Sequence, residues 1–502
     1  MFTTDVAGGV IHDACGRSRY FRGLNVVYKG APWYPQVTGF DPALSMSAAD
    51  GALWQSLGMN AARLGVMWPG VVPAPGAVDG GYLRIMTNLT SMLGGYGIYS
   101  LLDMHQDAVA GLFCGEGFPD WAAAKYSAGA QPFPLPLTST PFPINATTGE
   151  PTAAACATID WSECYFADAA GKATQALYSN VNGSAADFEF FWATVAAAWV
   201  GADHILGYEL MNEPWAGDVL ADPALLVPGV ADRLNLQPLW MNTTAALRAA
   251  EAPGVHRLVF VEGVTWDDFL PVGFDVLPGA TDGLAVLSYH YYDLPNFDPD
   301  WQATTRLADA TRLGAVAMLT EFDFGTSNLT YLSDMMATWD KYGQGYLGWE
   351  YKSFVPITGA NSGLFTPAGA LDLVKSAAMA RTFPFAVAGT GAAYGFDYTT
   401  GVFSLTYTQN ANASAPTEVF LSTAFWYTAG APGVQLTSVP AGAATWSITY
   451  FNGTTAAAAA ANPAPPGVAP TPFAWALLTV TANTSAPITT TAGAIITLVV
   501  SP

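Results

Sequence analysis

The sequence predicts a (β/α)8 TIM barrel followed by a C-terminal β-sandwich, an α/β architecture that rests on three observations. Eight short apolar runs alternate with longer, helix-compatible stretches. Acidic and aromatic residues stand where those runs end, the place where a parallel barrel exposes its functional side chains. Near Phe385–Gly391 the pattern changes to period-two segments separated by turn residues. At 502 residues the chain accommodates a barrel and a smaller unit, and the expected division is 1–384 for the barrel and 385–502 for the sandwich.

Barrel strands are expected at Phe21–Val27, Ala61–Val66, Ile98–Asp103, Ile205–Asn212, Leu258–Glu262, Ala285–His290, Ala315–Glu321 and Gly345–Glu350. They carry the Val, Ile, Leu and Tyr of strands covered on both faces. Between them Ala48–Leu57, Tyr82–Leu93, Phe188–Val200 and Leu329–Lys341 read as amphipathic helices, with Asp187 and Asn328 as N-caps of the last two. The connection after the third strand runs from Gln106 to about Ala186 and holds three of the four cysteines. A loop of that length sits above the catalytic face and shapes the binding site. In the second unit Gly401–Tyr407, Thr417–Leu421, Thr445–Tyr450 and Trp475–Thr481 are expected strands, and Gly493–Val500 a closing strand rather than a lipid-anchor tail. Ala456–Ala461 and Pro463–Pro472 read as a low-complexity surface loop.

Composition narrows the partners. Apolar residues make up 51% and charged ones 11%, which marks a globular chain. The net charge of −22, from 17 Lys and Arg against 39 Asp and Glu, leaves no basic footprint for nucleic acid. It also disfavours electrostatic docking on anionic lipid, whereas a neutral or cationic ligand is compatible. Met1–Gly9 lacks the basic start and apolar stretch of a signal peptide, and no run approaches the length of a membrane span. Eight Asn-x-Ser/Thr sequons, at Asn88, Asn145, Asn182, Asn242, Asn328, Asn412, Asn452 and Asn483, nevertheless point to a secreted protein or one of the lysosomal or vacuolar lumen. The four cysteines, Cys15, Cys114, Cys156 and Cys164, allow three pairings; the Cys156-x7-Cys164 spacing suits a local disulfide better than zinc, since no histidine is near.

Two carboxylates carry the chemistry. Ile205–Met211 ends in Asn212-Glu213-Pro214, and Ala315–Thr320 ends in Glu321. Glutamates on two strand ends are what glycoside cleavage needs, one to protonate the leaving oxygen and one to attack the anomeric carbon. The acid is expected to be raised by its neighbour's charge and by partial burial. Arg63 ends the second strand and can hold Glu321 ionised through charge-assisted bonds. His105 ends the third strand, His290 and Tyr292 the sixth, and Trp349 the eighth, where its ring offers a floor for a sugar. Each of these alone is more often structural; their common place on strand ends favours a binding role. Phe113, Phe118, Trp215, Phe269, Leu270, Phe354 and Val355 lie in or near loops on the catalytic side, as candidates for an apolar half of the cleft or as core.

Arg63, His105, Asn212, Glu213, His290, Tyr292, Glu321 and Trp349 match, in order and type, the active-site set of glycoside hydrolase family 5. Arg22–Lys29, Asp103–Asp107, Cys114–Trp121, Tyr208–Trp215, Thr265-Trp266-Asp267, Leu287–Tyr292 and Gly348–Lys352 resemble its endoglycoceramidase branch, and the likeness continues through Arg381–Gly391 and Pro416–Leu421. The resemblance implies a retaining enzyme that cleaves the bond between the glycan and the ceramide of a glycosphingolipid. It implies Glu213 as acid/base, Glu321 as nucleophile oriented by Tyr292, and Asn212 bonded to the 2-hydroxyl. Lys29 and Asp107 would touch the sugar next to the scissile bond, and Trp121 and Trp161 are weaker aromatic candidates at the mouth, with core packing as the alternative for each. No cofactor or metal is called for; a monomer with transient contact to a membrane or micelle is expected. Release of a single glucose from glucosylceramide or a steryl glucoside stays open as an alternative, as does a catalytically inactive barrel that binds glycolipids. The long loop after strand three departs from the branch, which leaves the sugar-chain preference open.

Overall fold

A computed structural model describes residues 1–264, 270–292, 298–354, 363–451, 453, 467–483 and 493–502. Thr265-Trp266-Asp267, Phe269, Val355, Asn452 and most of the low-complexity loop lie outside the described residues. Eight parallel strands close into a barrel: Arg22–Val26, Ala61–Gly65, Tyr99–Asp103, Ile205–Glu209, Leu258–Val261, Ala285–Tyr291, Val316–Asp323 and Tyr346–Trp349. All eight expected strands are present, with ends that agree or differ by one to three residues; the sixth and seventh run one and two residues further than expected. Close strand approach fixes glycine at one position: a Cβ on Gly23 would lie 1.6 Å from the Ala61 carbonyl oxygen.

Side chains two apart on a strand point the same way, which sorts the barrel interior into layers. Phe21, Ala61, Leu101, Leu258, Phe260, Val286, Val316, Met318 and Leu347 fill the lower, apolar layers. Two residues further along the same strands stand Arg63, Asp103, Glu262, Thr320 and Trp349, so the upper layer is polar. Phe2 and Ile11 close the bottom, with Phe2 edge-on to Phe21 and Tyr99 at centroid distances of 5.5 and 5.1 Å.

Helices cover the barrel. Leu329–Lys341 falls as expected with Asn328 capping Tyr331 N at 3.2 Å. Asp187 is not a cap: the helix starts three residues earlier, at Ser184, and the Asp187 carboxylate is bound by Lys125 at 2.6 Å and Tyr126 at 2.9 Å. The strand-three insertion folds into short helices, Asp120–Tyr126, Ala153–Cys156, Trp161–Phe166 and Asp168–Tyr178. Its disulfide corrects the sequence reading: Cys156 is bonded to Cys114, 42 residues away, while Cys164 is buried as a free thiol 3.8 Å from the Asp160 carbonyl.

The second unit is a sandwich of a seven-stranded and a four-stranded sheet. The larger sheet takes Phe383–Val387, Thr417–Leu421, Trp475–Ala482 and Ala444–Phe451, together with three strands from the N-terminus, Phe2–Asp5, Val10–Asp13 and Ser18–Arg19. Ser18 pairs with Val387 and Arg19 with Ala386, so residues 2–19, assigned with the barrel by the expected division, are shared with the sheet. The smaller sheet is Gly389–Asp397, Val402–Gln409, Ile495–Ser501 and Gly433–Val439. Against the barrel the sandwich makes a buried polar seam: Asp340 accepts from Arg22 at 2.6 Å, Arg381 at 3.0 Å and the Tyr394 hydroxyl at 3.3 Å.

Candidate active site

The polar upper layer of the barrel centres on Arg63, which is fully buried. Its guanidinium reaches Glu209 at 2.5 Å, Asn212 at 2.8 Å, Asn25 at 3.0 Å, Glu321 at 3.1 Å and Asp103 at 3.2 Å. Five partners from four strands match the planar fork of an arginine and not the single ammonium of a lysine. Thr320 bonds the remaining oxygen of Glu209 at 2.8 Å.

Strict alternation would send Glu321 outward, since Val316, Met318 and Thr320 face the interior. The strand breaks register between Leu319 and Glu321, which brings Glu321 level with the inward-facing His290. A bulge of this kind re-aims one side chain without ending the strand. Glu321 then takes two hydrogen bonds, from Arg63 on one oxygen and from the Tyr292 hydroxyl on the other. Burial and the carboxylate of Glu321 keep the Tyr292 phenol well above its ordinary pKa, so it stays a donor.

Glu213 follows the fourth strand with φ of +40°, an uncommon backbone for a residue with a side chain. The conformation is held from several directions: its N–H donates to Glu262 at 2.8 Å, and Gln106 donates to the carbonyls of Asn212 at 2.9 Å and Glu213 at 2.6 Å. Gln106 is itself fixed by the Tyr165 hydroxyl of the strand-three insertion, whose ring stacks on Trp215 at 5.0 Å. One carboxylate oxygen of Glu213, one of Glu321 and a ring nitrogen of His290 all lie within 4.8 Å of one another. Burial, then the charge of Asp107, pushes Glu213 up to about 7. The expected rise is present, with burial as its main cause and Asp107, not Glu321, as the charge behind it. His290 Nδ1 shares a 2.8 Å hydrogen bond with Glu213 Oε1, and burial pushes the imidazole down to about 4, so it is neutral.

Across the cavity stands a second ionic group. The Lys29 ammonium pairs with Asp107, lies 3.2 Å from Glu116 and sits 4.5 Å above the Trp349 ring. Trp349 is stacked on His105 at 5.3 Å and 12°. Burial and Lys29 work against a charge on His105, but Asp103 at 2.8 Å and Asp107 at 3.5 Å push it up to about 9. One histidine of the site is therefore charged and the other neutral, each set by its surroundings.

The structure thus brings Lys29, Arg63, His105, Asp107, Asn212, Glu213, His290, Tyr292, Glu321 and Trp349 to one cavity. Glu116, Glu209, Glu262, Gln106 and Asn25 belong to the same network and were not expected there. Several apolar candidates lie elsewhere. Phe113, Phe118 and Phe354 are buried in the core, Phe118 against Trp68, and Leu270 is exposed. Trp121 donates to the Val72 carbonyl and packs edge-on to Trp68, while Trp161 is half exposed on the insertion. Among the described residues three groups have ligand spacing for a metal, His105–Asp107–Glu116, Glu209–Glu262–His290 and Glu213–His290–Glu321. The Lys29 ammonium already occupies the first and the Arg63 guanidinium holds an acid of each of the others.

A closed parallel barrel with a glutamate pair at the carboxyl ends of strands four and seven defines a glycoside hydrolase of the two-carboxylate kind. The chain belongs to glycosyl hydrolase family 5: residues 21–355 match its Cellulase family, and residues 381–468 match the Glycoside hydrolase family 5 C-terminal domain. It groups with the endoglycoceramidases of that family. It is 40% identical to an endoglycoceramidase of Hydra vulgaris over 79% of this chain and 75% of that one. It is 38% identical to an endoglycoceramidase of Cyanea nozakii over 86% of both. The fold matches endo-glycoceramidase II from Rhodococcus sp. with a TM-score of 0.71 at 23% identity, over 98% of this chain and 99% of that one.

Proposed function

We propose that this protein hydrolyses the β-glycosidic bond between the glycan and the ceramide of glycosphingolipids, with retention of configuration. The observation that carries the reading is the glutamate pair: Glu213 is held protonated near neutral pH, and Glu321 is held by Arg63 and Tyr292 within 4.8 Å of it. Glu321 attacks the anomeric carbon as the bond to the ceramide oxygen breaks, and the Glu213 proton passes to that oxygen, which leaves as the alcohol. Glu213, now a carboxylate, takes a proton from water; the water oxygen attacks the anomeric carbon, the ester to Glu321 breaks, and the glycan departs in its original β configuration. Asn212, held by Arg63 at 2.8 Å, takes the 2-hydroxyl. Lys29 and Asp107 take hydroxyls of the attached ring, and Trp349 is its floor. Neutral His290 steadies Glu213 without adding a charge to the site.

A secretory or lumenal location, with passing contact to a lipid surface, belongs to the same reading. It is supported by the Cys114–Cys156 disulfide and by exposed sequons at Asn88, Asn145, Asn182, Asn242, Asn328 and Asn412. The test is incubation with glucosylceramide, lactosylceramide and a ganglioside, with the freed sugars identified and their anomeric form followed by NMR. Intact β-oligosaccharide from each lipid is expected. Turnover of glucosylceramide alone would reassign the protein as a monoglucosidase, and an α product would remove Glu321 as nucleophile.

A further inference from the structure

The segment Cys114-Gly115-Glu116-Gly117 is built around one side chain that the mechanism above does not use. Asp107 and Glu116 form an isolated antiparallel bridge, with N–H to carbonyl distances of 2.9 and 2.8 Å in the two directions. The flanking glycines make that approach possible: a Cβ on Gly115 would stand 1.8 Å from the Asp107 carbonyl oxygen, and Gly117, at φ of +132°, would place one 2.2 Å from Gln106 Cβ. The disulfide to Cys156 ties the segment down two residues before Glu116. The result is a Glu116 carboxyl 13% exposed, 3.2 Å from Lys29, with an oxygen within 4.8 Å of an Asp107 carboxylate oxygen.

Two ionised carboxylates this close repel one another and offer only acceptors, so the pair is favoured when one of them keeps a proton. We propose that Glu116 is a positioning residue of the sugar subsite: its carboxyl keeps that proton and offers it to Asp107, faces the Lys29 ammonium, and so holds the pair in the arrangement that grips the ring beside the scissile bond. The inference rests on the reading that Lys29 and Asp107 bond that ring. The charged groups around Glu116 agree with it. Lys29 follows strand one, His105 and Asp107 follow strand three, and Glu213, Glu321 and Glu350 close the cavity from strands four, seven and eight. Burial and the Asp107 charge push Glu116 up to about 8 against the pull of Lys29. Asp107, although buried, is held well below the usual carboxylate range by Lys29 and His105. The two acids thus divide the roles, one ionised and one a neutral donor.

The test uses the full chain with Glu116→Gln and Glu116→Ala, each alone and combined with Lys29→Ala, on lactosylceramide in detergent micelles and on an activated aryl β-lactoside. An amide at position 116 can still donate to Asp107 and turn its oxygen toward Lys29, so Glu116→Gln is expected to keep KM within about threefold of the wild type at pH 5–6. Glu116→Ala is expected to raise KM roughly tenfold or more with a smaller fall in kcat, and to add little on top of Lys29→Ala, because residues acting through one another are not additive. On the aryl lactoside, whose leaving group needs no proton, the alkaline fall of kcat/KM is expected to move to higher pH in Glu116→Gln. A Glu116→Ala protein with a lowered Tm and unchanged KM would overturn the proposal, as would equal damage by Gln and Ala or effects that multiply with Lys29→Ala. If the wild type spares every glycolipid but cleaves the aryl lactoside, the ceramide reading falls, and the same comparison on the aryl substrate still decides the role of Glu116. Turnover of neither removes both.

Discussion

Replacing the acid of the pair, Glu213→Gln, should make the protein more stable at alkaline pH while it removes activity on natural lipids. A buried carboxyl raised from 4.5 to about 7 binds its proton more tightly folded than unfolded. Below pH 4.5 both states are protonated and the residue is neutral in the balance. As pH rises the unfolded chain ionises first, so folding loses free energy between pH 4.5 and 7, and the loss is complete above 7. Each tenfold change in proton affinity is worth about 1.4 kcal/mol, which puts the full loss near 3 kcal/mol. Solvent reaches the 11% of the side chain that remains exposed, and we expect about 2 kcal/mol to be realised. Glutamine keeps the shape and can still bond His290, but never ionises. Urea unfolding of wild type and Glu213→Gln at pH 4 and pH 8 measures the effect: similar stability at pH 4, and a variant about 2 kcal/mol more stable at pH 8. Kinetics on the same samples should show activity on lactosylceramide nearly abolished and partly regained on an activated aryl glycoside, which leaves without a proton. A variant destabilised equally at both pH values would refute burial as the source of the acid's raised pKa.

Arg63→Lys keeps a charge among Asp103, Glu209 and Glu321 but cannot serve five partners; kcat/KM should drop by about 2–4 kcal/mol, or thirty- to a thousandfold, and a wild-type rate would contradict the central role of the guanidinium. A fragment ending at Pro384 loses the Tyr394 bond to Asp340, the Phe420 ring packed on Gly58 and the partner strands of Phe383–Val387, and should be poorly soluble; a soluble, fully active 1–384 fragment would show the sandwich to be dispensable.

The barrel was legible because strands covered on both faces leave continuous apolar runs, and six of the eight runs closed on a polar residue that the fold places at the mouth. Glu213 and Glu321 stand out for that reason. What aims Glu321 inward is a register break at Thr320, and nothing in Leu319-Thr320-Glu321 announces it. Glu209 reads as an ordinary strand residue until Arg63 arrives from 146 positions away. Glu116 was visible only as part of a motif, since its role depends on a backbone bridge to Asp107. Phe113, Phe118 and Phe354 show the converse limit: an apolar residue near a loop reads the same whether it lines a cleft or fills the core. The Cys114–Cys156 bond and the Ser18–Val387 pairing join distant segments, and local spacing carries no trace of either.

That last pairing has a consequence for how the molecule is made. Arg19 leaves the ribosome hundreds of residues before Ala386, its neighbour in the sheet. At ordinary rates of translation the interval is roughly twenty to seventy seconds. Through that time three short strands carry an open edge, the kind that recruits other chains. Phe2 and Ile11 supply the restraint once Tyr346–Trp349 has closed the barrel: anchored in its floor, they hold the strands against it. When Phe383–Val387 emerges, the edge it needs is already in place, and the barrel has served as the jig on which the second sheet is laid.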